Sequence, residues 1–148
     1  MVRRRDRHGR GLRGPLALPN PFTGAPVPLP HRPRKAEFFT ACVRAALARI
    51  GESCPQALVG IDIGVEDVPT AAGPWSRDRV PLAAAMAPEP PRNGQIVLYR
   101  RPLEHRAHSR KGLRILVYRT IVEQLSALTG LSVNEIDPQG LGSDDDWD

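Results

Sequence analysis

The sequence predicts an α+β domain: a small twisted sheet of mixed or antiparallel strands packed by two main helices, with a disordered basic arm ahead of it. Three observations carry that expectation. Over residues 109–130 the apolar side chains Leu113, Leu116, Val117, Ile121, Leu125 and Leu128 recur at three- and four-residue steps, the period of a helix with a buried stripe. Over residues 34–50, Phe38, Phe39, Cys42, Ala46 and Ile50 fall on one face of a second helix. Residues 57–68 and 95–105 instead alternate at every second position, as strands with one buried face do.

Composition divides the 148 residues into three segments: an arm at 1–33, a domain at 34–138 and an acidic tail at 139–148. Residues 1–35 hold nine of the 21 basic residues and one acid, whereas residues 36–148 hold 12 basic and 15 acidic residues, so the chain's basic character belongs to the arm. The arm carries seven of the 16 prolines, and proline lacks the backbone donor that helix and sheet require. Its arginines Arg3, Arg4, Arg5, Arg7, Arg10 and Arg13 suit contact with nucleic acid through counterion release. No aromatic residues stand among them to stack on bases, and a solvated tail is the plainer reading. No apolar run approaches the ~20 residues that span a bilayer, and residues 9–30 are broken by Gly and Pro. A cytoplasmic protein with Cys42 and Cys54 as free thiols is expected, with no membrane partner.

In chain order, the first helix is expected to end at Gly51, a residue suited to the C′ position. The strand that follows points Val59, Ile61, Ile63 and Val65 inward and leaves through Glu66, Asp67 and Pro69, a turn-forming exit. A loop around Trp75 leads to a short strand at 81–87. Asn93-Gly94 is a strong hairpin signal, and it predicts antiparallel pairing with the strand beginning at Gln95, whose Pro102 suggests an edge or an exit. Ser109 suits the N-cap of the long helix and Gly130 its terminator. Ser132 and Glu135 form a capping-box pattern for a short last helical turn stopped by Asp137-Pro138. On the long helix, Ile115, Arg119, Val122 and Ser126 share a second, partly apolar face with Glu123 at its edge, which predicts a groove that something occupies or fills.

The order helix, VEDVP at 65–69, IVLYRRPLE at 96–104, long helix and GLxxxEID at 130–137 resembles a family of minimal zincin-like zinc metallopeptidases over residues 36–138. The resemblance implies a twisted few-stranded sheet with the active-site helix packed across it. It also implies an H-E-x-x-H motif on that helix, two histidines holding zinc and the glutamate activating the metal-bound water. Aligned on the glutamate, Glu123 takes the general-base position, while Val122 and Ser126 stand where the histidines would be. Zinc, the family's cofactor, is therefore expected to be absent, with no metal ligands assigned. His105, His108, Cys42, Cys54, Asp62 and Glu66 have no zinc-site spacing, and no phosphate loop or nucleophile triad is visible. The expected function is a degenerate family member that binds a protein or peptide. Two alternatives stay open: a metallopeptidase with a noncanonical site, and a nucleic-acid-associated protein using the arm.

Overall fold

A computed structural model of the chain describes residues 34–69 and 80–143. The arginines of the arm, Trp75 and its loop, and residues 144–148 lie outside the described residues. The elements are α1 (Lys35–Ser53), β1 (Ile61–Glu66), β2 (Ala83–Met86), β3 (Gly94–Tyr99), α2 (Arg100–Arg106), α3 (Arg110–Thr129) and α4 (Val133–Ile136). Short 3-10 turns occupy Pro55–Leu58 and Leu141–Ser143. This is the α+β architecture expected, with two long helices and a three-stranded mixed sheet.

Helix α1 buries Phe38, Phe39, Cys42, Val43, Ala46 and Ile50. It does not stop at Gly51. It continues to Ser53, because Pro55 excludes the preceding residue from helical geometry and Cys54 turns the chain at φ −150°. The 3-10 turn after it displaces the start of the first strand, so Val59, expected inward, is 77% exposed. Gly60, at φ +71°, then swings the chain into β1. Ile61 and Ile63 pack against the core as expected, while Val65 sits at the sheet margin.

Strand order is β1-β3-β2, with β3 parallel to β1 and antiparallel to β2. The antiparallel pair matches the expected hairpin, but its tight turn closes at Glu89–Arg92, where Arg92 N donates to Glu89 O at 2.7 Å. Gly94 is already part of the sheet: its N donates to Gly60 O at 2.9 Å, and a Cβ there would lie 3.2 Å from Pro88 Cδ and 3.3 Å from Met86 O. β3 is the middle strand rather than an edge, and Ile96 and Leu98 are wholly buried. Pro102 belongs instead to the first turn of α2, where its missing N–H has no helical partner to lose. Arg100 fixes this strand-to-helix junction, reaching Asp67 Oδ1 at 3.0 Å and Glu104 Oε1 at 2.9 Å. Its guanidinium holds the Asp67 carboxyl below the usual range, which agrees with a solvated, turn-stabilising role for the VEDVP acids.

Helix α3 touches α1, α2, α4, β2 and β3, and is the element around which the domain closes. Its ends match the sequence: Ser109 Oγ accepts from Gly112 N at 2.9 Å, and Gly130 caps the far end at φ +75°. Packing on several sides makes its buried arc broad, taking in Tyr118, Thr120 and Val122 beside the expected stripe. On the sheet face away from the helices, Asp62, Gly64, Glu66, Ala84, Met86 and Gln95 are exposed. The capping box holds as well: Ser132 N donates to Glu135 Oε2 at 2.7 Å and Glu135 N to Ser132 Oγ at 3.2 Å. Among the described residues no helix is long and apolar enough to cross a membrane.

Candidate functional site

The long helix is where the chemistry would lie, and its side chains can be placed one at a time. Val122 is 2% exposed and belongs to the hydrophobic core, so it does not line an open groove. Burial of this residue is compatible with the expected second face being filled rather than open. Ser126 donates its hydroxyl to Leu131 O at 2.7 Å, which satisfies a carbonyl beyond the end of the helix. Arg119 pairs with Glu123, Nε to Oε1 at 2.9 Å, on the helix surface. Ile115 is half-buried one to three turns nearer the N-terminus. Ile115, Arg119 and Ser126 are thus half-buried along one helical direction, with Val122 packed into the core among them.

Zinc needs lone pairs converging at ~2.0–2.3 Å. With Glu123 in the general-base position, the two ligand positions hold a buried hydrocarbon and a hydroxyl engaged with Leu131 O. The pair four residues apart that faces outward at this level is Glu123 and Ala127, both exposed, with Gln124 half-buried between them. That register supplies one carboxylate, a methyl group and an amide that cannot take up a proton. Neither donor set fits zinc. His105 and His108 are exposed, Cys42 and Cys54 are buried and unbonded to each other, and among the described residues no three His, Cys, Asp or Glu side chains converge.

An opening beside α3 lies on another side, between α1 and α3, with a cavity volume of about 650 Å³. Its floor is Phe38, Cys42 and Ala46 from α1 with Ile115 and Tyr118 from α3, and its rim carries Arg49, Lys111 and Arg114. Arg110 stacks over the Phe38 ring at 4.6 Å from the centroid, which adds positive charge at the same end. Burial pushes the Cys42 thiol up, and nearby Arg114 opposes that shift. Of the four groove residues expected from the sequence, Ile115 alone lines this cleft.

One end of the cleft is closed by a buried polar assembly that the sequence did not reveal. Asp137, 4% exposed, accepts from Tyr118 Oη at 3.0 Å and Leu141 N at 3.1 Å through Oδ1, and from Gly142 N at 2.9 Å through Oδ2. Burial and the neighbouring carboxylate push the Tyr118 hydroxyl above its ordinary range. These bonds hold the turn Leu141–Ser143 against α3 and bring Leu141 to the cleft's edge, so the packed unit runs past residue 138. The sequence signal of Asp137 was its neighbour Pro138, which marks a helix stop and says nothing of burial.

A long helix across a three-stranded mixed sheet, preceded by a strand ending in VEDVP, is the plan of a zincin-like protein. The family model of zincin-like metallopeptidases matches residues 52–142, and the chain belongs to that family. The match begins near the end of α1, so Phe38, Cys42, Ala46 and Arg49 lie outside it. Among curated proteins none matches the sequence.

Proposed function

We propose that this protein is a degenerate member of the zincin-like metallopeptidase family that acts by binding a protein or peptide segment. The observation that carries the proposal is the donor set of α3: Val122 with Ser126, or Glu123 with Ala127, where the chemistry requires two zinc-binding side chains four residues apart. The binding surface is the α1–α3 cleft. Its apolar floor and its rim of Arg49, Lys111 and Arg114 suit an acidic segment that also carries a large apolar side chain. Arginine favours carboxylates here because its planar fork meets them through two parallel hydrogen bonds.

Two measurements test this. Elemental analysis of protein purified without chelator is expected to find no stoichiometric zinc; about one zinc per chain, lost on His105→Ala or His108→Ala, overturns the degenerate reading. A labelled acidic peptide containing one tryptophan is expected to bind with salt-sensitive affinity and to be lost in Arg49→Glu/Arg114→Glu. Equal binding by that charge-reversed protein removes the cleft from the proposal.

A further inference from the structure

We infer that the resident occupant of the α1–α3 cleft is the chain's own acidic segment, residues 144–148, of sequence DDDWD. The inference rests on the cleft being a site for acidic segments, and three further observations select this one. The first is where the chain leaves the fold. Leu141 lines the cleft, and the turn Leu141–Ser143 is fastened by the two backbone bonds to Asp137. Gly142 is pressed so close to α3 that a Cβ on it would lie 3.3 Å from Arg119 Cα. The described chain therefore ends on a fixed turn at the edge of the groove.

The second is length. From Tyr118 to Lys111 the cleft follows seven residues of α3, about 10–11 Å at 1.5 Å per residue. An extended chain covers ~3.3–3.6 Å per residue, so Trp147, four residues beyond Ser143, reaches about 13–14 Å. That reach is long enough to span the cleft to its Phe38 end.

The third is chemical fit. Residues 144–148 hold four aspartates and one tryptophan, and the cleft offers exposed Arg49 and Arg114 above the apolar surface of Phe38 and Ile115. A tether this short gives an effective concentration in the millimolar range, so a contact too weak to hold a free peptide at ordinary concentrations still keeps the segment in place. The occupied cleft then admits an outside acidic segment only in proportion to the time it stands open.

The test uses the full chain with Trp75→Phe, which leaves Trp147 as the sole tryptophan. Its fluorescence is expected to be shielded from acrylamide and to become accessible in Arg49→Glu/Arg114→Glu. If Trp75→Phe does not fold, the difference between the native chain and Trp147→Phe reports the same indole. A companion titration uses a labelled peptide with the sequence of residues 143–148. It compares the native chain with a full-length variant carrying Asp144→Asn, Asp145→Asn, Asp146→Asn and Trp147→Ala. The variant is expected to bind the peptide at least about tenfold more tightly. An indole already accessible in the native chain overturns the inference, as does shielding that rises with protein concentration, which assigns the segment to a second copy. If the two chains bind the peptide equally, the inference fails and the cleft reading stands. If the indole is accessible and neither chain binds, both fail.

Discussion

Replacing Asp137 with alanine is the most demanding perturbation of this fold, because one side chain satisfies three donors. The carboxylate accepts from Tyr118 Oη, Leu141 N and Gly142 N at 2.9 to 3.1 Å, and it is 4% exposed. Hydrogen bonds to a charged group contribute ~1.5–3 kcal/mol each, but the three are not additive. Once the turn Leu141–Ser143 peels away, its two backbone N–H groups regain water. The Tyr118 hydroxyl loses its acceptor, and a buried donor left unpaired costs up to ~1–3 kcal/mol. Adding the apolar contact of Leu141 that goes with the turn, Asp137→Ala is expected to lose about 3 kcal/mol. For a domain of this size that lowers the melting temperature by roughly 12–20 °C. Urea melts followed by circular dichroism measure the loss. Tyr118→Phe removes one donor and leaves the carboxylate two, so it is expected to cost only about 1 kcal/mol. The double variant should lose less than the sum of the singles, because both act on one assembly. An Asp137→Ala protein melting within about 2 °C of the native chain would refute the assignment of Asp137 as the clamp on this turn.

Two pairs of histidine substitutions distinguish the two helix registers. Val122→His/Ser126→His forces an imidazole into the core and breaks the bond to Leu131 O, so it is expected to cost more than about 2 kcal/mol with no recovery on adding zinc. Glu123→His/Ala127→His places two imidazoles on the exposed face and is expected to change stability by less than about 0.5 kcal/mol without metal, then to melt higher with zinc; calorimetry with and without zinc reads both. Alkaline pH gives a further check. The Tyr118 hydroxyl is raised in the fold above its unfolded value, ordinarily about 10, so folding favours the protonated phenol. Its contribution is complete below that pH and is lost as pH climbs from there towards the folded value. Urea midpoints in this alkaline window should fall more steeply for the native chain than for Tyr118→Phe.

Local pattern was enough to locate both long helices, and the caps at Ser109, Gly130 and Ser132 are where the sequence places them, because capping is chemistry between residues two to four apart. The strand at Gln95 was legible, but its end was not. Residues 100–106 carry Pro102 behind a β-branched and aromatic run, so extension of the strand and a helix with proline in its first turn look alike until the junction with Asp67 is known. Val59 was misplaced for a similar reason, since alternation continues through a 3-10 turn that Pro55 starts and Gly60 ends. The site was harder still. Whether Val122 faces a groove or the core depends on what lies over α3, and that is decided by residues far away in sequence. The cleft needs Arg49 and Arg114 brought to one rim by helix packing, and Asp137 meets Tyr118 across 19 residues. No helical or strand period encodes either meeting.

The position of β3 also sets an order of assembly. Its antiparallel partner is close in sequence, Ala85 facing Ile96, while its parallel partner is about three times farther, Ile63 facing the same residue. Closing the longer loop costs about 1 kcal/mol more entropy, so the hairpin of β2 and β3 forms first, on a timescale of microseconds. Until β1 arrives, the other side of β3 is a bare row of N–H and C=O groups bordered by Ile96 and Leu98, the two residues that end fully buried. At that stage the uncovered strand edge is open to edge-to-edge pairing with another copy of the chain, and docking of β1 is what closes it.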